Sequence, residues 1–311
     1  MFRCFRRPKR QLFCLPDDLW TEIFLFATGN MRQWSLLQRI SHEFRRLVRT
    51  RRALSRTVCD LRPPFDDTIP FDLVSVVGCW TLQLDLLSKF TAVHTLYMDH
   101  DLRNCEPLTK LASLRTLCLW NSTNLDQLFQ DAQFHGLRHL SVNSPHVTDL
   151  TVELLLKFEH LTTLEMEAPI ITEIGLQCLA NLPNLRALKL SSCHTIADLR
   201  ALAKLNLEEL DLTDCGLVEN WACLSSLHTL RKLDLSLNEI SDEDLTGLCT
   251  LHVLRQLNLF GCQCLTDGCA ASLFLFANLK HVNLHCCYRI SRPVLEECKA
   301  RFPCSQERFA M

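Results

Sequence analysis

One phrase recurs in the chain and limits what it can fold into. LRALKLSSCHTI begins at Leu185, LEELDLTDCGL at Leu207, LRKLDLSLNEI at Leu230, LRQLNLFGCQCLTD at Leu254 and LKHVNLHCCYRI at Leu279. Each copy is an instance of L-x-x-L-x-L-x-x-N/C-x-L, with Val for the second leucine in the last copy and the closing Leu or Ile two or three residues after the Cys or Asn, so every copy fixes at least five positions together. The second and third leucines alternate with polar residues, which points both to one face of a short strand. The Cys or Asn stands where the chain leaves that strand, and it can satisfy backbone groups that a turn leaves unpaired. The later Leu or Ile returns to the core. One such unit cannot bury its apolar face alone, so copies must stack.

The phrase resembles the signature of leucine-rich repeats. Counting first positions gives Val93, Leu114, Leu137, Leu161, Leu185, Leu207, Leu230, Leu254 and Leu279, at intervals of 21, 23, 24, 24, 22, 23, 24 and 25 residues. These nine repeats over 93–303 predict an α/β solenoid, a horseshoe with parallel strands on its concave face and helices outside. The early copies are looser. Pro145 and Pro169 occupy the turn position in the third and fourth, and VHTLYMDHDL has neither Cys nor Asn there. Several repeats continue with Thr or Ser and an acid, as in VTDLTVELLL, ITEIGLQCLA and ISDEDLTGL. That pair suits a helix N-terminus, so each repeat reads strand, turn, helix. Residues 304–311 form a tail.

The N-terminal part differs in composition. Residues 1–60 hold thirteen Lys/Arg and five Asp/Glu, about +8, whereas the whole chain is −2. An asymmetry this large suggests two modules with different partners. Residues 1–14 form a basic tail, with Arg3, Arg6, Arg7, Lys9 and Arg10. It is read as a solvated terminus, a nuclear-import patch being the competing reading and a mitochondrial presequence a third. Residues 15–56 read as three short helices. Leu15-Pro16 followed by Asp17-Asp18 starts the first; Gly29-Asn30 stops it; Ser41 caps the third. A core this small would gain from a partner. Residues 57–92 form a linker and N-terminal cap: RPPFDD and Ile69-Pro70 extend the chain, and 72–77 and 82–90 pack as a capping helix and an edge strand.

The motif LPDDLWTEIFLF…WSLLQRISHEFRRLV, from Leu15 to Val48, resembles an F-box. The Cys-bearing repeats are similar to those commonly found C-terminal to F-boxes. The resemblance implies binding to the Skp-type adaptor of cullin-based ubiquitin ligases, with Leu15, Pro16, Leu19, Ile23, Trp34, Leu37, Ile40 and Phe44 forming that contact or the core behind it. It implies a substrate-recruiting subunit that transfers nothing itself. The alternative is a repeat scaffold outside any ligase, with 15–56 as a plain helical cap.

A protein partner is expected on the concave face. A solvated strand face does not need large aromatics, so Tyr97, Trp120 and Phe260 are candidate anchors. Glu165, Glu167, Glu209, Asp211 and Asp234 make an acidic middle interrupted by Lys189 and Lys232, suited to a segment bearing Arg or Lys. No nucleotide-binding, zinc-protease or serine-hydrolase motif occurs, and the chain is not read as an enzyme. No cofactor is expected. The eighteen cysteines are read as small, reduced core residues. Zinc at CQC 262–264 with Cys286-Cys287, or at His281 and His285, is the weaker reading because the spacings do not match ligand pairs. The acidic solenoid argues against nucleic acid, and no apolar run is long enough to cross a membrane. No secretory signal is visible; a cytoplasmic location is expected, with the nucleus left open by the basic tail.

Overall fold

The computed structural model describes residues 58–59, 75–77, 93–99, 105–167 and 170–302. Eleven parallel strands form one sheet in strict chain order. They are β1 (Val58–Cys59), β2 (Ser75–Val77), β3 (Thr95–Asp99), β4 (Thr116–Trp120), β5 (His139–Asn143), β6 (Thr163–Glu167), β7 (Ala187–Ser191), β8 (Glu209–Asp211), β9 (Lys232–Asp234), β10 (Gln256–Asn258) and β11 (His281–Asn283). Strands β3–β11 are the nine repeats counted from sequence. Two more precede them: Ser75 pairs with Thr95, and Val58 with Ser75. A strand therefore stands at Ser75–Val77, where a capping helix over 72–77 was expected, and another at Val58–Cys59, within the expected linker; residues 82–90, expected as an edge strand, lie outside the described residues.

Each of the strands β3–β11 leads to a short helical segment on the other side of the core. These are α1 (Glu106–Thr109), α2 (Leu125–Asp131), α3 (Asp149–Leu154), α4 (Glu173–Leu179), α5 (Asp242–Leu248), α6 (Cys269–Leu275) and α7 (Arg292–Arg301). Strands need about 4.8 Å between neighbours and helices about 8–10 Å, so the sheet lies on the concave side. Two repeats depart from the strand, turn, helix plan. Arg200–Lys204 and Trp221–Ser226 are 3₁₀ helices without a side-chain cap. The Thr/Ser-plus-acid start is missing there; Ala197-Asp198 and Glu219-Asn220 take its place. Thr148, Thr172 and Ser241 cap α3, α4 and α5 and satisfy amides that the first helical turn leaves unpaired, whereas α1, α2, α6 and α7 form without a side-chain cap.

The repeating leucines form one continuous core. Leu185, Leu188 and Leu190 are buried, as are their counterparts Leu207, Leu210, Leu212 and Leu254, Leu257, Leu259. A second ladder runs beside it. The thiol of Cys215 donates to the Leu190 carbonyl at 3.3 Å, that of Cys262 to Leu235 at 3.2 Å and that of Cys287 to Leu259 at 3.1 Å. Asn238 fills the same column, and its Nδ2 donates to the Leu212 carbonyl at 2.7 Å. In each case the turn residue of one repeat closes the strand end of the repeat before it. The preceding residue is left-handed in six repeats: Asn121, Ser192, Asp214, Leu237, Gly261 and Cys286. In the third repeat Pro145 cannot donate a hydrogen bond. Ser144, one residue earlier, is buried instead and donates to the Ser122 carbonyl at 2.7 Å.

The acids of the Thr/Ser-plus-acid pairs do more than start their own helices. Asp149 Oδ1 accepts from the Thr172 and Gly175 amides at 2.8 and 3.1 Å, and its Oδ2 from the Thr172 hydroxyl at 2.6 Å. Glu173 likewise accepts from the Ala197 amide at 2.9 Å, Asp242 from Thr266 at 3.0 Å and Asp267 from Ser291 at 2.6 Å. Each carboxylate therefore crosses to the next repeat and caps its entry. Gly175 leaves room for this: a Cβ there would lie 2.5 Å from Asp149 Oδ1.

Candidate protein-binding face

The concave surface is built from the strand residues between the core leucines, at three positions per repeat. The register lines them up in rows. Tyr97, Cys118, Ser141, Glu165 and Lys189 are successive partners across β3–β7. Trp120, Asn143, Glu167 and Ser191 form the next row.

The two rows bring four of the expected residues within the four consecutive strands β3–β6. The rings of Tyr97 and Trp120 stack with centroids 6.1 Å apart and planes 17° from parallel. Burial, then the neighbouring Cys118 and Glu165, holds the Tyr97 hydroxyl above the ordinary tyrosine range. Burial, with Glu165 beside it, pushes the Cys118 thiol up to about 12, so it is not a reactive thiolate at neutral pH. Glu165 is half-buried and Glu167 exposed. Asn143 Nδ2 donates to Glu167 Oε2 at 2.6 Å.

Farther along the face the charges are largely compensated within the chain. Lys232 lies 2.6 Å from Glu209, and Lys189 lies 3.4 Å from Asp211. Asp211 and Asp234 are only 4% and 6% exposed. Asp211 Oδ1 accepts from the amide and hydroxyl of Thr213 at 2.9 and 2.6 Å. Asp234 Oδ1 accepts from the amide and hydroxyl of Ser236 at 2.9 and 2.5 Å, and its Oδ2 from Asn258 at 2.6 Å. Asn258 and Asn283 make the same bond to the amide two residues on. An Asp or Asn here reaches its own backbone and shapes the turn. Phe260 is 37% exposed, in the turn after β10. It lies six strands from β4, about 29 Å at about 4.8 Å per strand, so it does not share a patch with Trp120. Sequence reading did not single out Asn143, and it did not pair Lys189 and Lys232 with their acids. Aligning the repeats column by column would have shown both cation–acid pairs.

Asp234 carries a pH signature. Burial raises its carboxyl above the ordinary aspartate value, and Asp211 across the strand pair adds to this, against hydrogen bonds from Ser236 and Asn258 that lower it. A carboxyl raised in the folded chain binds its proton at a pH where the unfolded chain has lost it. Stability therefore falls as pH rises through the window above the ordinary aspartate value, and the cost persists at neutral pH. Asp234→Asn is expected to flatten that part of the profile in urea unfolding measured from pH 4 to 7.

Adaptor residues Leu15, Pro16, Leu19, Ile23, Trp34, Leu37, Ile40 and Phe44 lie outside the described residues. Among the described residues no three or more His, Cys, Asp or Glu side chains are placed to hold a metal ion, and no helix is long and apolar enough to cross a membrane.

Residues 176–257 match the family model for Zer-1-like leucine-rich repeats. Over this stretch the chain is similar to leucine-rich repeats, and the described strands and helices have the leucine-rich-repeat fold. The chain is also 34% identical over 117 residues to the F-box protein SKIP19 of Arabidopsis thaliana, a match covering 35% of this chain and 38% of that one. The two matches support an F-box/leucine-rich-repeat family. The matched stretch spans less than two fifths of the length of this relative. Among solved structures, internalin C2 of Listeria monocytogenes str. 4b F2365 aligns with a TM-score of 0.49 at 22% identity, over 65% of this chain and 84% of its own. Internalin F of the same strain gives 0.42 at 21% identity, over 69% and 74%.

Proposed function

We propose that this leucine-rich-repeat protein is the substrate-recruiting subunit of a cullin-type ubiquitin ligase. Residues 15–56 bind a Skp-type adaptor, and through it a cullin, while the concave face of the repeats holds the protein substrate. The observation that carries this reading is the identity to an F-box protein in a chain whose Leu15–Val48 stretch has the F-box pattern. The stacked Tyr97–Trp120 pair and the neighbouring carboxylates favour a polypeptide ligand over a small molecule. They lie on an open sheet face, where an extended chain can touch several rows at once. The protein itself transfers nothing in this reading. It holds the substrate near the enzyme that does, so its contribution is proximity. None of the described cysteines forms a disulfide, which suits action in the cytoplasm or nucleus. Co-purification of a Skp-type adaptor with the full chain tests the proposal.

A further inference from the structure

We propose that the interval between the Trp120 ring and the Glu167 carboxylate seats the guanidinium of an arginine in an extended basic segment of the partner. The proposal rests on the reading that the concave face holds a protein, and it names the chemistry of that partner.

Trp120, Asn143 and Glu167 are partners in one row across β4, β5 and β6. Two strand spacings place the α-carbons of Trp120 and Glu167 about 10 Å apart. A planar cation lying within about 6 Å of the ring centroid can also reach a carboxylate oxygen at about 2.8 Å, so the interval matches one guanidinium. Both walls are held in place beforehand. Tyr97 stacks on Trp120 and fixes the orientation of its ring. Asn143 lies between the two walls and binds Glu167 Oε2, which keeps the carboxylate over β5, on the side facing Trp120. The other oxygen, Oε1, has no hydrogen bond or ion pair among the described residues.

Charge confines the seat to this end of the face. Lys189 and Lys232 are engaged by Asp211 and Glu209, and Asp211 and Asp234 are turned to their own backbone. Glu165 and Glu167, two residues apart on β6 and on the same face, form no ion pair among the described residues. Asp234 has no ion pair either but is buried, so the accessible unpaired carboxylates of β5–β9 are Glu165 and Glu167, at the end of the face that carries the aromatic pair, and a partner of positive charge complements them. Arginine fits better than lysine because its flat fork can stack on the indole and bind the carboxylate together, whereas an ammonium is a strongly hydrated point charge.

The test uses the full chain and a fluorescein-labelled octapeptide of alternating serine and arginine, read by anisotropy, beside lysine and citrulline versions of the same peptide. The arginine peptide is expected to bind about tenfold tighter than the lysine one, with citrulline binding lost. Glu167→Gln and Trp120→Leu should each weaken the arginine peptide about fivefold or more, and Glu219→Gln, at an exposed loop position, should leave it unchanged. Thermal unfolding of each variant separates loss of the seat from loss of fold. Equal binding of the arginine and lysine peptides, or unchanged binding to Glu167→Gln, overturns the proposal. Adaptor binding is read on residues 15–56, so a chain that binds the adaptor but not the peptide refutes this inference alone.

Discussion

Asn238→Ala is expected to lower the stability of the solenoid by about 3 kcal/mol, among the largest losses from a single polar substitution in the repeats. Asn238 is 2% exposed. Its Oδ1 accepts from the Cys215 amide at 2.7 Å, and its Nδ2 donates to the carbonyls of Leu212, Leu235 and Ser236 at 2.7, 3.0 and 3.2 Å. Truncation leaves a buried amide and a buried carbonyl without this partner, and no water replaces them in an apolar surround. Leu235 and Ser236 retain other donors, the Cys262 thiol and the Asp214 amide, which keeps the loss from being larger. Asn238→Cys should recover about half, because a thiol in this column donates to the preceding repeat as Cys215 does but cannot accept from the Cys215 amide as well as an amide oxygen does. Urea unfolding of the three chains checks the order: Asn238 most stable, the Cys variant next, the Ala variant least. Hydrogen exchange should place the loss at β8 and β9, since each repeat of such an array leans on its neighbours.

Asp149→Ala is the second large effect, expected to cost about 2–3 kcal/mol. One carboxylate takes three donors from the next repeat: both polar groups of Thr172 and the Gly175 amide. Those amides begin α4, where the helix dipole also favours a negative charge. Gly175→Ala should cost a similar amount by another route. Its Cβ would lie 2.5 Å from Asp149 Oδ1, so the carboxylate must leave. The two substitutions therefore share one interaction, and the double variant should be scarcely less stable than either single one. Additive losses in a double-mutant cycle would show that the carboxylate and the glycine act independently.

These two sites mark the limit of what a linear reading conveys. The leucine columns are legible because burial acts on each repeat in the same way, at fixed offsets. The Cys/Asn column is legible as a turn position, yet its acceptor is not, since that carbonyl belongs to the repeat before. Asp149 and Asp242 read as helix starters for the same reason: their receivers stand a whole repeat away. Ser144 was hidden by Pro145, which occupies the expected position while the serine one residue earlier takes up the buried bond. On the concave face, period alone places Asp211, Asp234 and Glu165 alike. Side-chain length separates them, because the short aspartate reaches its own backbone amide two residues on, as both do, whereas Glu165 makes no such bond. Tyr97 and Trp120 were legible as large aromatics at solvated strand positions. That they stack needed the diagonal between adjacent strands. The F-box pattern of Leu15–Val48 was legible as a motif, and its contacts fall outside the described residues.

The account turns on the N-terminal segment recruiting an adaptor, and direct binding measures that. Purified full chain mixed with a purified Skp-type adaptor is expected to form a complex that survives size-exclusion chromatography. Leu15→Asp with Pro16→Asp should weaken it about 100-fold, as expected for loss of a buried anchor at the centre of an interface. The solenoid should stay folded in that variant, as judged by unchanged urea unfolding of the repeats. Absence of a complex with the unaltered chain, or a double variant that binds as tightly as the parent, would contradict the assignment.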